Sequence, residues 1–200
     1  MTKRLALALA LGLAVLAACA TVKNSFTRPD YEQVDRERVK RLVVVTQPLP
    51  DGKQSLGELW SLIARQHVNQ NRDFLVKANL TLAEPATDDS LKALCTEGVE
   101  GVLLLVPQVK RTEDGAETAV RARLMRCVDS QDVWSADAAG SWGSSDEKFR
   151  ERAAQYVKQF GPEVEPYVVP SYKLLKSTLD TLPNPKLNDQ DIDEKIELGE

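Results

Sequence analysis

Histidine is almost absent from this chain: His67 stands alone among 200 residues. Any Ser/His/Asp or Cys/His site would have to use it. Helical spacing places it late in an amphipathic helix, where a surface histidine is the ordinary outcome. No Gly-x-Ser-x-Gly accompanies it. Only three cysteines are present, and none forms a Cys-x-x-Cys pair, which disfavours redox work. Zinc lacks ligands unless carboxylates dominate the site. Positive charge is also short, with 26 Lys and Arg against 30 Asp and Glu and a pI near 5.3. Nucleic-acid binding is therefore not expected. No period of 20–50 residues repeats. Neither an enzyme nor a bound cofactor is expected. What remains, 42% hydrophobic and 28% charged residues, suits one folded domain with tails.

The charge is unevenly spread. Lys3 and Arg4 are the only charges in residues 1–18, so residues 19–200 carry a net −6. Residues 5–18 are an unbroken run of Leu, Ala, Val and one Gly. Fourteen residues span about 21 Å as a helix, whereas a crossing needs roughly 20 residues. A positive start and a short apolar run have the proportions of a secretory signal.

Leu16-Ala17-Ala18-Cys19 resembles the bacterial lipobox. The resemblance implies diacylglyceryl transfer to the Cys19 thiol, cleavage between Ala18 and Cys19, and an N-acyl chain on the new terminus. The other reading is ordinary secretory cleavage with an incidental cysteine. Each buried CH₂ of such chains contributes about 0.8 kcal/mol, so two or three chains hold firmly to a membrane. Ala20 follows where enterobacterial sorting uses Asp for inner-membrane retention, which suggests the outer membrane with the domain facing the periplasm. Residues 21–31 lack periodicity and read as a tether; about 15 extended residues reach at most ~50 Å.

Four segments are expected: a signal peptide over 1–18, a lipidated terminus and tether over 19–37, a mixed domain over 38–182, and an acidic tail over 183–200. Leu42-Val43-Val44-Val45 reads as a buried strand of a parallel sheet. Ser55 and Glu58 have capping-box spacing ahead of Leu56, Leu59, Trp60 and Ile63, giving a helix to about residue 70. A second strand follows over 74–79 and a short helix over 88–95. A buried strand covers 102–106, with Pro107 ending it or marking an irregularity. Turn signals at 112–115 and 129–132 separate two further alternating strands. Ser144 and Glu147 open another helix, stopped by Gly161-Pro162. Residues 166–170 read as an extended connection and 171–182 as a last helix. The fold class is α/β (α+β mixed). The order β-α-β-α-β-β-β-α plus a C-terminal helix makes a single mixed sheet of about five strands.

The stretch Gly98-Val99-Glu100-Gly101-Val102-Leu103-Leu104-Leu105-Val106 resembles a strand entry shared by the curli-export lipoprotein and the TolB N-terminal domain. Val120-Arg121-Ala122-Arg123-Leu124, Asp129 and Val133-Trp134-Ser135-Ala136 are similar to the hairpin of that fold. The likeness covers residues 38–160. Over its whole length the chain resembles an uncharacterised family of small bacterial lipoproteins, in which Cys95 and Cys127 pair and an acidic, proline-broken segment ends the chain. Pairing is also plausible because an oxidising compartment leaves two cysteines once Cys19 is acylated. Two buried free thiols are the alternative.

Asp189, Asp191, Asp193 and Glu200 fall at calcium-loop spacing, although Glu194 stands where that loop needs Gly. A solvated acidic tail is the plainer reading. Arg121 and Arg123 share one strand face and Arg126 takes the other, the ordinary pattern of exposed sheet charges. The combined expectation is a membrane-anchored accessory or scaffold protein of the envelope, acting through a protein partner without catalysis. Alternatives are a subunit of an export or envelope-assembly complex related to the curli exporter, a calcium-responsive module, and a hydrolase with an unrecognised carboxylate site.

Overall fold

A computed structural model describes residues 21–49 and 53–198. The proposed signal peptide, Ala18 and Cys19 lie outside the described residues, as does Glu200. Six strands, not about five, form one sheet in the order β1-β6-β5-β4-β2-β3. β2 (Arg41–Thr46) lies between β3 (Leu75–Thr81) and β4 (Gly101–Arg111), parallel to both. β5 (Gly115–Arg126), β6 (Asp132–Gly143) and β1 (Thr21–Thr27) continue the sheet antiparallel.

The sixth strand is the stretch expected to be a tether. β1 pairs along β6 from Thr21↔Ala139 to Thr27↔Trp134, with a bulge between Val22 and Asn24. Its sequence shows no alternation because it is an edge strand held by backbone bonds. Val22 packs against the core, whereas Phe26 is 52% exposed.

β2 is buried on both faces, which explains its unbroken apolar run. One face meets α2 (Gln54–Asn71), α4 (Arg150–Phe160) and α5 (Glu165–Leu179), burying Leu42, Val44, Leu103, Trp60 and Trp134 in the main core. On the other face a smaller layer of Val43, Val45, Val102, Leu104 and Met125 meets Leu91 of α3 (Asp88–Lys92). α3 is capped at both ends of its Thr87–Ser90 box. Beyond β4 no helix among the described residues covers this second face.

α2 starts at Gln54, and no side chain caps it; Ser55 Oγ instead donates to Glu163. Gly57 lies so close to β3 that a Cβ would meet Thr81 Cγ2 at 2.6 Å. Pro107 continues β4 opposite Val120, two residues past the last pairing with β2 at Leu105. β4 there has a neighbour on one side only, so the missing N–H is tolerated. Asp146, not Ser144, caps the 3-10 turn that leads into α4. Gly161 at φ 97° ends α4, a conformation natural to glycine.

Residues 166–170 are helical, against the expectation of an extended link. Pro166 sits in the first turn of α5, where no N–H is needed. Pro170 is interior and costs about 3 kcal/mol. Val168, Val169, Leu174 and Leu175 are all buried. At ~1.5–3 kcal/mol each they outweigh that cost.

Candidate functional site

The sheet has two poles. The upper pole carries the start of β1, the end of β6 and the β4–β5 hairpin. The lower pole carries the starts of β2 and β4, the β5–β6 turn, and two charged clusters.

Cys95 and Cys127 are bonded there, with Cα atoms 5.4 Å apart. The bridge joins the segment after α3 to the end of β5. The neighbouring Arg126 is not the exposed sheet charge expected of it; it lies on the buried face with Ala122 and Leu124 and is 8% exposed. Its Nη1 donates to Asp35 Oδ1 at 2.7 Å, beside α1 (Tyr31–Val34). Its Nε and Nη2 donate to Asp129 at 2.7 and 2.6 Å. The Asp129 bonds, with those to Asp35, raise the guanidinium pKa above its ordinary value. Arg121 and Arg123 do lie on the open sheet face. Arg121 pairs with Asp137 at 3.2 Å, and Arg123 with Asp88 at 3.0 Å and Asp132 at 3.4 Å. Local carboxylates thus balance both.

His67 is buried, not on the surface. Its Nε2 lies 2.9 Å from Asp180 Oδ1, across from the end of α5. Burial pushes its pKa below the ordinary value, against the pull of Asp180. A space of about 10 Å³ beside it has room for about one water.

The acidic tail is α6 (Asp189–Leu198), a helix docked on the lower pole. Asn188 and Asp191 bond each other's backbone N–H reciprocally, both at 2.9 Å, and start the helix. Asp191 is 2% exposed and takes Lys40 at 2.5 Å and Arg41 at 2.7 Å. Glu194 accepts from Arg41 at 2.6 Å and from Lys77. Lys195 donates to the Arg72 carbonyl. Of the described calcium candidates, Asp191 is buried in this cluster, whereas Asp189 and Asp193 are exposed and make no ion pair in it. Among the described residues, no group of three or more His, Cys, Asp or Glu is placed to hold a metal ion. Asn188-x-x-Asp191 was a readable start signal, but Lys40 and Arg41 lie about 150 residues away.

Burial works against the Asp191 charge, but the Asn188 N–H and the Lys40 and Arg41 cations more than offset it. They hold its pKa at about 2, below the ordinary aspartate value of 3.8. A depressed carboxylate stabilises the fold above its unfolded pKa, and that contribution disappears as pH falls through the folded value. α6 is expected to stay docked to about pH 4 and to release as pH falls toward 2, losing about 2 kcal/mol. Hydrogen exchange at 189–198 checks this; unchanged protection between pH 5 and pH 2 would reject it.

α6 presents its polar side to the protein and leaves Ile192 and Ile196 exposed, at 46% and 70%. The open sheet face holds a trough of about 620 Å³ over β4, β5 and β6. A further groove of about 640 Å³ runs between α4 and α5, lined by Ala153, Ala154, Val157 and Val169 with charges at its mouth.

No family model matches the chain, and no curated protein matches it. Solved structures give partial likenesses. PelC from Paraburkholderia phytofirmans, described as a dodecamer, is 15% identical with a TM-score of 0.47, over 84% of this chain and 99% of that one. A hypothetical protein from Chlamydia trachomatis is 14% identical with a TM-score of 0.43, over 70% and 94%. Lipoprotein GNA1162 from Neisseria meningitidis is 19% identical with a TM-score of 0.37, over 60% and 94%. None of these likenesses brings an activity or a residue role to this chain.

Proposed function

We propose that this protein is a lipid-anchored accessory protein of the bacterial envelope, held by acyl chains on Cys19 and working through protein contacts. The observation that carries the reading is the start of β1 at Thr21, two residues past Cys19. Two residues reach at most ~7 Å. A long tether is thereby lost, and the upper pole stands on the bilayer. The lower pole, with its exposed Ile192, Ile196 and Val128, then points away from the membrane. Ala20 favours the outer membrane, with the domain in the periplasm. No described helix is long and apolar enough to cross a membrane.

Phase partitioning tests the anchor. The native chain is expected in the detergent phase, with a mass that includes diacylglyceryl and N-acyl groups. Cys19→Ser is expected in the aqueous phase, with an unchanged melting temperature. Native protein of unmodified mass in the aqueous phase would defeat the proposal.

A further inference from the structure

The docking of α6 is inverted relative to an ordinary surface helix, which turns an apolar stripe inward. Its inward side is Asp191, Glu194 and Lys195, tied to the lower pole by ion pairs and a backbone carbonyl. Asp191 is its one buried residue. The apolar Ile192 and Ile196, one helical turn apart, stay exposed. At about 3.6 residues per turn, Asp189, Asp193 and Glu197 form a second stripe along one flank of the isoleucines. All three acids are exposed and make no ion pair among the described residues. Like charges at that spacing weaken a helix, and Glu197 in the last turn also opposes the helix dipole. Neither stripe serves the fold: the isoleucines bury little and the acids repel one another. Local features that oppose stability and gain nothing in packing mark a functional surface.

The two stripes define what can cover them. An apolar stripe requires an apolar groove. Because the acids lie on one flank only, cations are required along one wall of that groove. A bilayer does not fit: anionic headgroups repel the acids, and α6 stands at the pole away from the anchor. A second copy does not fit either. On one bilayer its α6 stands at the same height and brings the same acids.

We infer that the exposed side of α6 is the docking helix for a partner protein, received in an apolar groove with Lys or Arg along one wall. Ile192 and Ile196 enter the groove, and Asp189, Asp193 and Glu197 meet its cations. The inward ion pairs of Asp191 and Glu194 hold the helix ready for this contact. A helix of 10 residues would not persist alone in water. The inference rests on the accessory reading only for the direction in which the lower pole faces.

The test uses the full chain in its own cells, with the photocrosslinker p-benzoylphenylalanine replacing one exposed residue at a time. The positions are Ile196, Val128 at the same pole, and Gln155 on α4 as a control. Irradiation is expected to give one protein adduct of discrete mass from position 196 and none from position 155. Fragmentation of the adduct is expected to place the linkage in an apolar segment of the partner that is flanked by Lys or Arg. Asp193→Lys with Glu197→Lys is expected to lower the yield roughly tenfold or more. Hydrogen exchange at 189–198 confirms that α6 stays docked in that variant. No adduct from position 196 overturns the inference. So does a yield indifferent to charge reversal, or linkage to lipid or to a second copy. An adduct from position 128 alone overturns it and leaves the accessory reading standing, whereas silence at both lower-pole positions defeats both.

Discussion

Asp35→Ala is expected to destabilise the domain by about 3 kcal/mol, at the lower end of what breaking a buried ion pair costs. The Asp35 and Arg126 side chains are only 1% and 9% exposed and meet at 2.7 Å. Removing the carboxylate leaves a buried guanidinium held on one side only, by the partly exposed Asp129. That remaining partner sets the lower end. The pair is not an optimal one, because Asp35 Oδ2 has no hydrogen bond. Replacing both residues with apolar ones, Asp35→Leu with Arg126→Met, is therefore expected to recover most of the loss. Urea denaturation reads the difference directly. In a melt the single variant should fall by roughly 10 °C. A loss below about 1 kcal/mol would mean that water reaches Arg126 and screens its charge.

Removing the bridge next to that ion pair is the other large effect. Cys95 and Cys127 are 32 residues apart in sequence. Closing a loop of that length restricts the unfolded chain by about 4 kcal/mol. Cys95→Ala with Cys127→Ala should therefore lower the unfolding free energy by about that much. Reducing agent should do the same to the native chain. The α3 layer should loosen first, since Leu91 and five sheet residues form it without help from the main core. Identical denaturation midpoints with and without reductant would refute this. The bridge and Arg126 are neighbours in β5, so the two losses should not simply add.

Both sites were only partly legible in the sequence. The cysteine pairing was foreseeable because Cys95 precedes one strand and Cys127 follows its hairpin partner, at the same end of the sheet. Arg126 was not. Alternation along β5 places Arg126 on the buried face of Val120, Ala122 and Leu124, and what could not be read was the Asp35 that meets it there; only Met125 departs from alternation, because the α3 layer covers the second face at that point. His67 misled for a similar reason. Its position on α2 was read correctly, but the end of α5 lies over it.

The central strands and α2 declare themselves because burial on both faces, or on one helical stripe, leaves a periodic mark in composition. The same holds for the apolar run over residues 5–18, the lipobox-like Leu16-Ala17-Ala18-Cys19 and the segregation of negative charge toward the C-terminus. Those features the sequence determined by itself. The tertiary structure decided that residues 21–27 are a sixth strand and not a tether, that residues 166–170 continue a helix, and that the acidic tail docks as α6. β1 is held by backbone bonds to β6, which any side chain can make. α5 tolerates Pro170 because of the core beneath it. α6 is held by Lys40 and Arg41, about 150 residues earlier. Backbone pairing and long-range ion pairs impose no local period, so only the folded chain reveals them.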